Sequence, residues 1–270
     1  MGNIKNIINR GNKYNLHSHT QFCDGRDVME NFVISAIESG FTDYGFSPHS
    51  PIPICSPCNM DMQDVSKYFE EFDRLKEKYR NQINLYKSFE IDFLDDWGPA
   101  HEFFQTMDLD YRIGSVHFIP SFAQDGYVDI DGNFENFKVK MHEHFYDDAE
   151  GVIISFFTQT LKMIENGGFD IIGHFDKIYM NASQFKSGVE NEMWYKSLVK
   201  ETVDAIMDYG YWVEINTKAF EKSKKFFPSV QFWFLLKHYN APVLFNSDVH
   251  YPHLINSGRD IAIERFFKLP

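Results

Sequence analysis

The sequence predicts a distorted (β/α)7 barrel in a single domain of 270 residues, and three observations carry that expectation. Strand-like and helix-like segments alternate along the whole chain, the pattern of parallel strands joined by right-handed crossovers. Glycines such as Gly40 and Gly210 stand where helices should end, just ahead of the next strand. Seven such units in a chain of roughly 250 residues close into a barrel more readily than they lie open. A doubly wound open sheet is the competing architecture. No Pro/Ser-rich linker divides the chain, so residues 1–270 read as one domain.

Taken in order, the first strand covers residues 14–19, and a helix over 28–39 follows with Met29, Phe32, Val33, Ala36 and Ile37 on one stripe. The second strand is 42–47, after which the Pro-rich stretch 50–59 must be loop. A charged amphipathic helix over 61–80 turns Tyr68, Phe69, Phe72, Leu75 and Tyr79 inward. The third strand is 83–93, a shorter helix spans 99–107, and the fourth strand is 111–119. Residues 125–132 form a turn or small excursion. A long helical region over 134–166, broken near Gly151, ends at Gly167-Gly168. The remaining pattern is strand 169–175, helix 191–209, strand 211–216, helix 230–239, strand 241–247 and a last helix over 258–267.

Composition narrows the function classes. Apolar residues at 43% and aromatic residues at 17% suffice for a large core, yet no run reaches the roughly 20 apolar residues of a membrane helix. The first residues lack the apolar run and small-residue site of a secretory leader. Asn6 breaks the myristoylation pattern that Met1-Gly2 opens. A cytoplasmic enzyme is expected, without membrane attachment. A net charge of −13 argues against nucleic acid as a partner, because such binding relies on basic surfaces that neutralise phosphates. Three cysteines do not make a disulfide framework.

The chemistry is written at the strand ends. His17 and His19 are two apart in an extended run, so both imidazoles face the same side. Asp24 follows in the next loop. Later strands end near His49, Glu90, His117, His174 with Asp176 and Lys177, Glu214 with Asn216 and Lys218, and Asp248 with His250. In a parallel barrel these ends share one rim, where such folds hold their active sites. Each histidine alone could be a strand cap, but six of them in register with the strands, beside three carboxylates, point to a metal centre. Imidazole and carboxylate without thiolate suit Zn²⁺, Mn²⁺ or Fe²⁺. Nine candidates (His17, His19, Asp24, His49, Glu90, His117, His174, Asp248 and His250) exceed the needs of one ion. They predict a cluster of two or three divalent ions bridged by a carboxylate such as Glu90, suited to acidifying a shared water and clamping a phosphoryl group.

The segments His17-Ser-His19-Thr-Gln-Phe-Cys-Asp24-Gly, Phe46-Ser-Pro-His49-Ser-Pro, Phe89-Glu90-Ile-Asp92, Ser115-Val-His117-Phe, Gly173-His174-Phe-Asp176 and Ser247-Asp248-Val-His250 resemble the motifs of the PHP (polymerase and histidinol phosphatase) superfamily. Their spacing most resembles its histidinol-phosphatase branch, over nearly the whole chain. The resemblance implies a distorted (β/α)7 barrel with a trinuclear site. Carried over, it would place one ion on His17, His19, Glu90 and Asp248, a second on Glu90, His117 and His174, and a third on Asp24, His49 and His250. It also implies hydrolysis of a small phosphorylated metabolite, L-histidinol phosphate in histidine biosynthesis, by a metal-bridging hydroxide. Glu90, Asp248 and His250 would be the catalytic residues. Many members carry an acidic residue before the second-strand histidine, where this chain has Pro48. Hydrolysis of another small phosphomonoester or nucleotide, or a metal-binding regulatory module without catalysis, are the alternatives.

Phosphate also needs cations, and Lys177, Lys218 and Arg259 are the candidates beyond the fifth, sixth and seventh strands, whereas Arg112 starts a strand and belongs to the opposite face. Asp92, Glu214 and Tyr251 are the candidates for a substrate amine. Cys55-Ser-Pro-Cys58 lacks the second pair of a zinc ribbon and reads as part of the entrance loop. His142-Glu143-His144 lies in a helical stretch, where residues two apart diverge, and reads as surface; His253 could line the pocket.

Overall fold

The computed structural model describes residues 2–269. Among these, the strands are β1 (Tyr14–Asn15), β2 (Asp43–Phe46), β3 (Asn84–Lys87), β4 (Glu90–Asp92), β5 (Ile113–Ser115), β6 (Phe118–Pro120), β7 (Tyr127–Asp129), β8 (Ile171–Ile172), β9 (Trp212–Asn216) and β10 (Val243–Asn246). The helices are α1 (Gly2–Asn9), α2 (Met29–Glu38), α3 (Val65–Tyr79), α4 (Glu102–Gln105), α5 (Phe134–Phe145), α6 (Ala149–Asn166), α7 (Tyr179–Phe185), α8 (Met193–Tyr209), α9 (Phe220–Ser223), α10 (Trp233–His238) and α11 (Arg259–Lys268).

Two parallel sheets make the frame, in the orders β1-β2-β3 and β10-β9-β8-β5-β4. Two bridges join them into a ring. One pairs Ser18 with Val249, where His19 N–H donates to the Val249 carbonyl at 2.9 Å; the other pairs His49 with Glu90, where Ser50 N–H donates to the Glu90 carbonyl at 2.9 Å. With β3 and β4 as two halves of one chain segment, the ring has seven parallel positions, the predicted (β/α)7 barrel in distorted form. Both closures fall at ligand candidates, so the barrel seams and the site are built from the same residues.

Helices cover the ring because each strand needs its apolar face buried. Phe32, Val33 and Ala36 of α2 and Tyr68, Phe72 and Leu75 of α3 pack with Tyr44, Phe46, Leu85 and Ile91 in one core. The larger core places Phe156, Phe157 and Met163 of α6, Val199, Val203 and Ile206 of α8 and Trp233 of α10 against Ile172, Val213, Ile215 and Phe245. A third cluster seats Ile4 and Ile7 of α1 on Tyr14, Ile113, Ile171 and Leu244.

Four local features depart from the sequence reading. The strand expected over 83–93 is interrupted at Ser88-Phe89, which lets β3 pair with β2 and β4 pair with β5. The Tyr68 hydroxyl fills the gap, lying 3.1 Å from the Phe46 carbonyl and 2.9 Å from the Ser88 carbonyl. The strand expected over 111–119 also divides, and its second half turns into an antiparallel hairpin of β6 with β7. The helical break falls before Gly151, at Tyr146 and Asp147, both with positive φ. Asp148 then caps α6 by accepting the Gly151 N–H at 2.9 Å. Finally, α7 and α9 occupy stretches with no helical period of their own.

Candidate metal centre

Six histidines and three carboxylates from six of the seven strand positions converge on one buried space. Glu90, which opens β4 where the ring changes sheets, is the hub. Its Oε2 lies 3.2 Å from His17 Nε2, 3.4 Å from His19 Nε2 and 3.1 Å from His49 Nδ1. Its Oε1 lies 2.8 Å from His174 Nε2 and 3.6 Å from His117 Nε2, and also accepts a hydrogen bond from Ser115 Oγ at 2.7 Å. Ser115 reaches it only because residue 173 is glycine; a Cβ there would stand 2.4 Å from Ser115 Oγ.

Asp248 enters from the opposite side, its Oδ1 3.0 Å from His19 Nε2 and 3.9 Å from His17 Nε2. It sits at φ +47, a left-handed conformation rare outside glycine that occurs at functional sites. Asp24 approaches His250 Nε2 at 3.2 Å, His19 Nδ1 at 3.6 Å and His49 Nε2 at 3.9 Å. The loop that brings Asp24 back folds so tightly that a Cβ at Gly25 would lie 2.2 Å from Thr20 N.

The ligand atoms group as His19-Asp24-His49-His250, His17-His19-Asp248, Glu90-His117-His174 and His49-Asp92-His117, each within 4.8 Å. These groups overlap the sets implied by the sequence motifs without coinciding with them: His19 also joins Asp24, His49 and His250, Glu90 groups with His117 and His174, and Asp92 joins His49 and His117. His17 Nε2, His19 Nε2, His49 Nδ1, His117 Nε2, Glu90 Oε2 and Asp248 Oδ1 are buried and have no hydrogen-bond partner. Buried polar atoms are nearly always paired, so this convergence of bare lone pairs fits divalent cations with nitrogen and oxygen ligands.

The outer contacts hold the rings in ligand-ready orientations. His17 Nδ1 lies 2.7 Å from Glu214 Oε1, and Glu214 is itself held by Asn216 Nδ2 and Asn246 Nδ2, each at 2.9 Å. His117 Nδ1 lies 2.7 Å from Asp92 Oδ1. His250 Nδ1 lies 3.0 Å from the Asp248 carbonyl. Such acceptors fix the tautomer that leaves the other nitrogen free to ligate. Asp92 and Glu214, candidates for a substrate amine in the sequence, therefore serve histidines instead. Tyr251 is exposed and ring-packed on His253.

Charge alternates across the site. Burial acts against ionisation of Glu90, but His17, His117 and His49 hold it well below its usual range. Burial likewise opposes Asp248, which Lys218 and His17 keep ionised. Burial pushes His174 down to about 4 with help from Lys177, and burial also lowers His19 and His49, the direction that favours neutral rings able to ligate. Burial pushes the Cys23 thiol, 3.5 Å from His19 Nδ1, up to about 12, which disfavours a thiolate beside the candidate ligands.

The cations separate. Lys218 Nζ lies 3.3 Å from Asp248 Oδ1 and 3.2 Å from His250 Nε2, and Lys177 Nζ pairs with Asp131 Oδ2 at 2.5 Å beside the cluster. Arg259 does not join them. It is buried between the Tyr14 and Phe41 rings, with Nε donating to the Phe245 carbonyl at 3.0 Å and the guanidinium also bonding Asn256 and the Asn12 carbonyl. Position after the seventh strand suggested the rim, but the start of α11 turns this side chain into the core, where it ties β10 to the chain ahead of β1. Arg112 caps the end of α4, at the Phe104 and Met107 carbonyls, away from the cluster as expected. The His142-Glu143-His144 stretch and Cys55 and Cys58 join no metal-capable group among the described residues. Sequence reasoning missed Ser115, Asn59 and Asp131, whose roles depend on contacts across loops that leave no periodic signal.

These features define a parallel-barrel protein with a metal-capable imidazole–carboxylate centre at its rim. The chain belongs to the PHP domain family, whose model matches residues 15–218. It is 28% identical over 263 residues to a Schizosaccharomyces pombe protein named probable histidinol-phosphatase, covering 91% of this chain and 83% of that one. It is 24% identical over 276 residues to the histidinol-phosphatase of Bacillus subtilis, covering 92% and 97%. The fold matches the crystal structure of HisK from Listeria monocytogenes with a TM-score of 0.82 at 22% identity, covering 92% of this chain and 99% of that one. It also matches the Lactococcus lactis histidinol phosphate phosphatase, solved with zinc, L-histidinol and phosphate, with a TM-score of 0.70 at 19% identity over 94% of both chains. Among the described residues no helix is long and apolar enough to cross a membrane.

Proposed function

We propose that residues 1–270 form one cytoplasmic phosphoesterase domain that hydrolyses L-histidinol phosphate to L-histidinol and phosphate. His17, His19, Asp24, His49, Glu90, His117, His174, Asp248 and His250 would hold two or three divalent ions, Zn²⁺, Mn²⁺ or Fe²⁺, in the groups described above. The observation that carries this reading is the division of Glu90, with one oxygen facing His17, His19 and His49 and the other facing His174 and His117. A carboxylate so placed would serve two ions at once, and histidinol-phosphatases are the named relatives over more than nine-tenths of the chain.

When bound, such ions supply positive charge for the phosphate oxygens and lower the pKa of water at the cluster. The protein's own part is positioning and electrostatics, which account for most of the rate in phosphoryl transfer. Glu214 and Asp92 fix the His17 and His117 rings, so little reorganisation is needed when substrate arrives. Lys218, a third exposed and next to Asp248 and His250, is placed to meet a phosphate oxygen from the solvent side. Lys177 supplies a second cation, this one buried, at the cluster edge; burial acts against its charge, but Asp131, Asp248 and Glu90 hold it above the usual lysine range.

Steady-state phosphate release from L-histidinol phosphate, with Mn²⁺ or Zn²⁺ added to stripped protein, tests this reading. Release well above that of a His17→Ala variant is expected. Turnover of a different phosphomonoester with none of L-histidinol phosphate would redirect the substrate, and no metal-dependent release from any phosphate ester would overturn the reading.

A further inference from the structure

The Lys177–Asp131 pair has an orientation. The Lys177 ammonium is buried, whereas the Asp131 side chain that meets it is 33% exposed, so the pair runs from the interior towards the rim. Lys177 follows the strand end that carries His174, its N–H donating to the His174 carbonyl at 2.8 Å. Asp131 follows β7, and the Ile130 N–H beside it donates to the His117 carbonyl at 2.9 Å, which anchors the hairpin end to the metal centre. Neighbouring Asp129 is engaged by Lys140 at 3.0 Å, and Asp92 and Glu214 are committed to His117 and His17. Asp131 is therefore the rim carboxylate whose partner, Lys177, is itself suited to phosphate.

Resting on the phosphatase reading above, we propose that Asp131 is the specificity residue for a substrate ammonium group, and that binding exchanges one ion pair for two. A phosphomonoester carrying an amine has a dipole opposite to that of the Lys177–Asp131 pair. Its phosphate enters the cluster and draws the Lys177 ammonium, while its ammonium takes over the released Asp131 carboxylate. No charge is left buried without a partner. An amine-free phosphomonoester strips Lys177 from Asp131 and leaves that carboxylate uncompensated, which costs binding. The fold thereby selects amino-alcohol phosphates over simple alkyl phosphates.

The test crosses two changes: Asp131→Asn in the protein, and loss of the amine from the substrate, using L-histidinol phosphate and its des-amino analogue with the Mn²⁺-loaded enzyme. In wild type, losing the amine raises KM by about tenfold, the size of one charged hydrogen bond in a partly wet site. In Asp131→Asn, KM rises for L-histidinol phosphate and falls for the des-amino analogue, so the preference collapses, while Asp131→Glu restores part of it. A merely structural loss moves both KM values the same way. An unchanged preference in Asp131→Asn, or parallel shifts for both substrates, overturns the inference and leaves the phosphatase reading standing. Failure of the wild-type enzyme to turn over either ester instead contradicts the phosphatase reading itself.

Discussion

Asp92 Oδ1 lies 2.7 Å from His117 Nδ1, and the other oxygen of the same carboxylate accepts from Asn59 Nδ2 at 2.7 Å. One buried acid thus orients a ligand histidine and pins the entrance loop, since Asn59 Nδ2 also donates to the Ser50 carbonyl at 2.9 Å. Asp92→Ala removes the acceptor that sets the His117 tautomer. Losing such an outer contact weakens metal affinity by about 10- to 100-fold. Titration against a chelating dye should show that loss for the ion held by His117 and His174, with the remaining equivalents bound near normally. Equal affinity in variant and wild type would contradict the role.

Glu90 and Asp24 differ in what they hold together. Glu90 faces five imidazoles through its two oxygens, whereas Asp24 Oδ1 serves only the His250, His19 and His49 corner. Glu90→Gln should lose more metal than Asp24→Asn, and elemental analysis of the two variants after identical loading gives the comparison. Retention of the full metal complement by Glu90→Gln excludes bridging.

Arg259 marks a place where stability and activity separate. Its removal leaves the Phe245 carbonyl and neighbouring core atoms unpaired and opens space between Tyr14 and Phe41. Arg259→Met should cost about 3 kcal/mol of unfolding free energy, as for a buried hydrogen-bonded group lost with its packing. Turnover per folded molecule should stay close to wild type. Urea unfolding and active-site titration together check this; a stable variant with weakened phosphate binding would return Arg259 to the rim.

Acid sensitivity has a local source in Glu30, which ties α2 to α3. Its carboxylate accepts from Lys78, from Arg74 at 2.7 Å and from Tyr79 at 2.8 Å, and these bonds pull it down to about 2. A depressed carboxylate stabilises the fold above its unfolded value of about 4.3 and loses that contribution as pH falls towards its folded value. The gap in urea midpoint between wild type and Glu30→Gln should therefore be full at neutral pH and close between about pH 4.3 and 2. A gap that widens on acidification contradicts the assignment.

Much of the site was legible because ligand placement follows side-chain parity and strand ends. His17 and His19 face one side of an extended run, and each later ligand follows a segment whose strand character is local. What parity cannot report is a change of partner. Residues 83–93 read as one strand, and only the pairing of β3 with β2 and of β4 with β5 reveals the interruption that sets Glu90 at the seam. Glycine is the usual marker and places the break between α5 and α6 near Gly151, yet the left-handed residues are Tyr146 and Asp147. The second roles of Asp92 and Glu214, and the pairing of Asp131 with Lys177, join elements 25, 197 and 46 residues or so apart in sequence, a separation no local pattern encodes. The core position of Arg259 is hidden for the same reason: its partners Asn12 and Tyr14 lie at the other end of the chain.

If these nine side chains form one shared metal cluster, the protein has a fixed metal stoichiometry. Stripped protein reloaded with Mn²⁺ or Zn²⁺ and freed of excess should carry two to three ions per chain by elemental analysis, in keeping with overlapping ligand groups that share His19, His49 and His117. Recovery of one ion or none, in protein that remains folded, would contradict it.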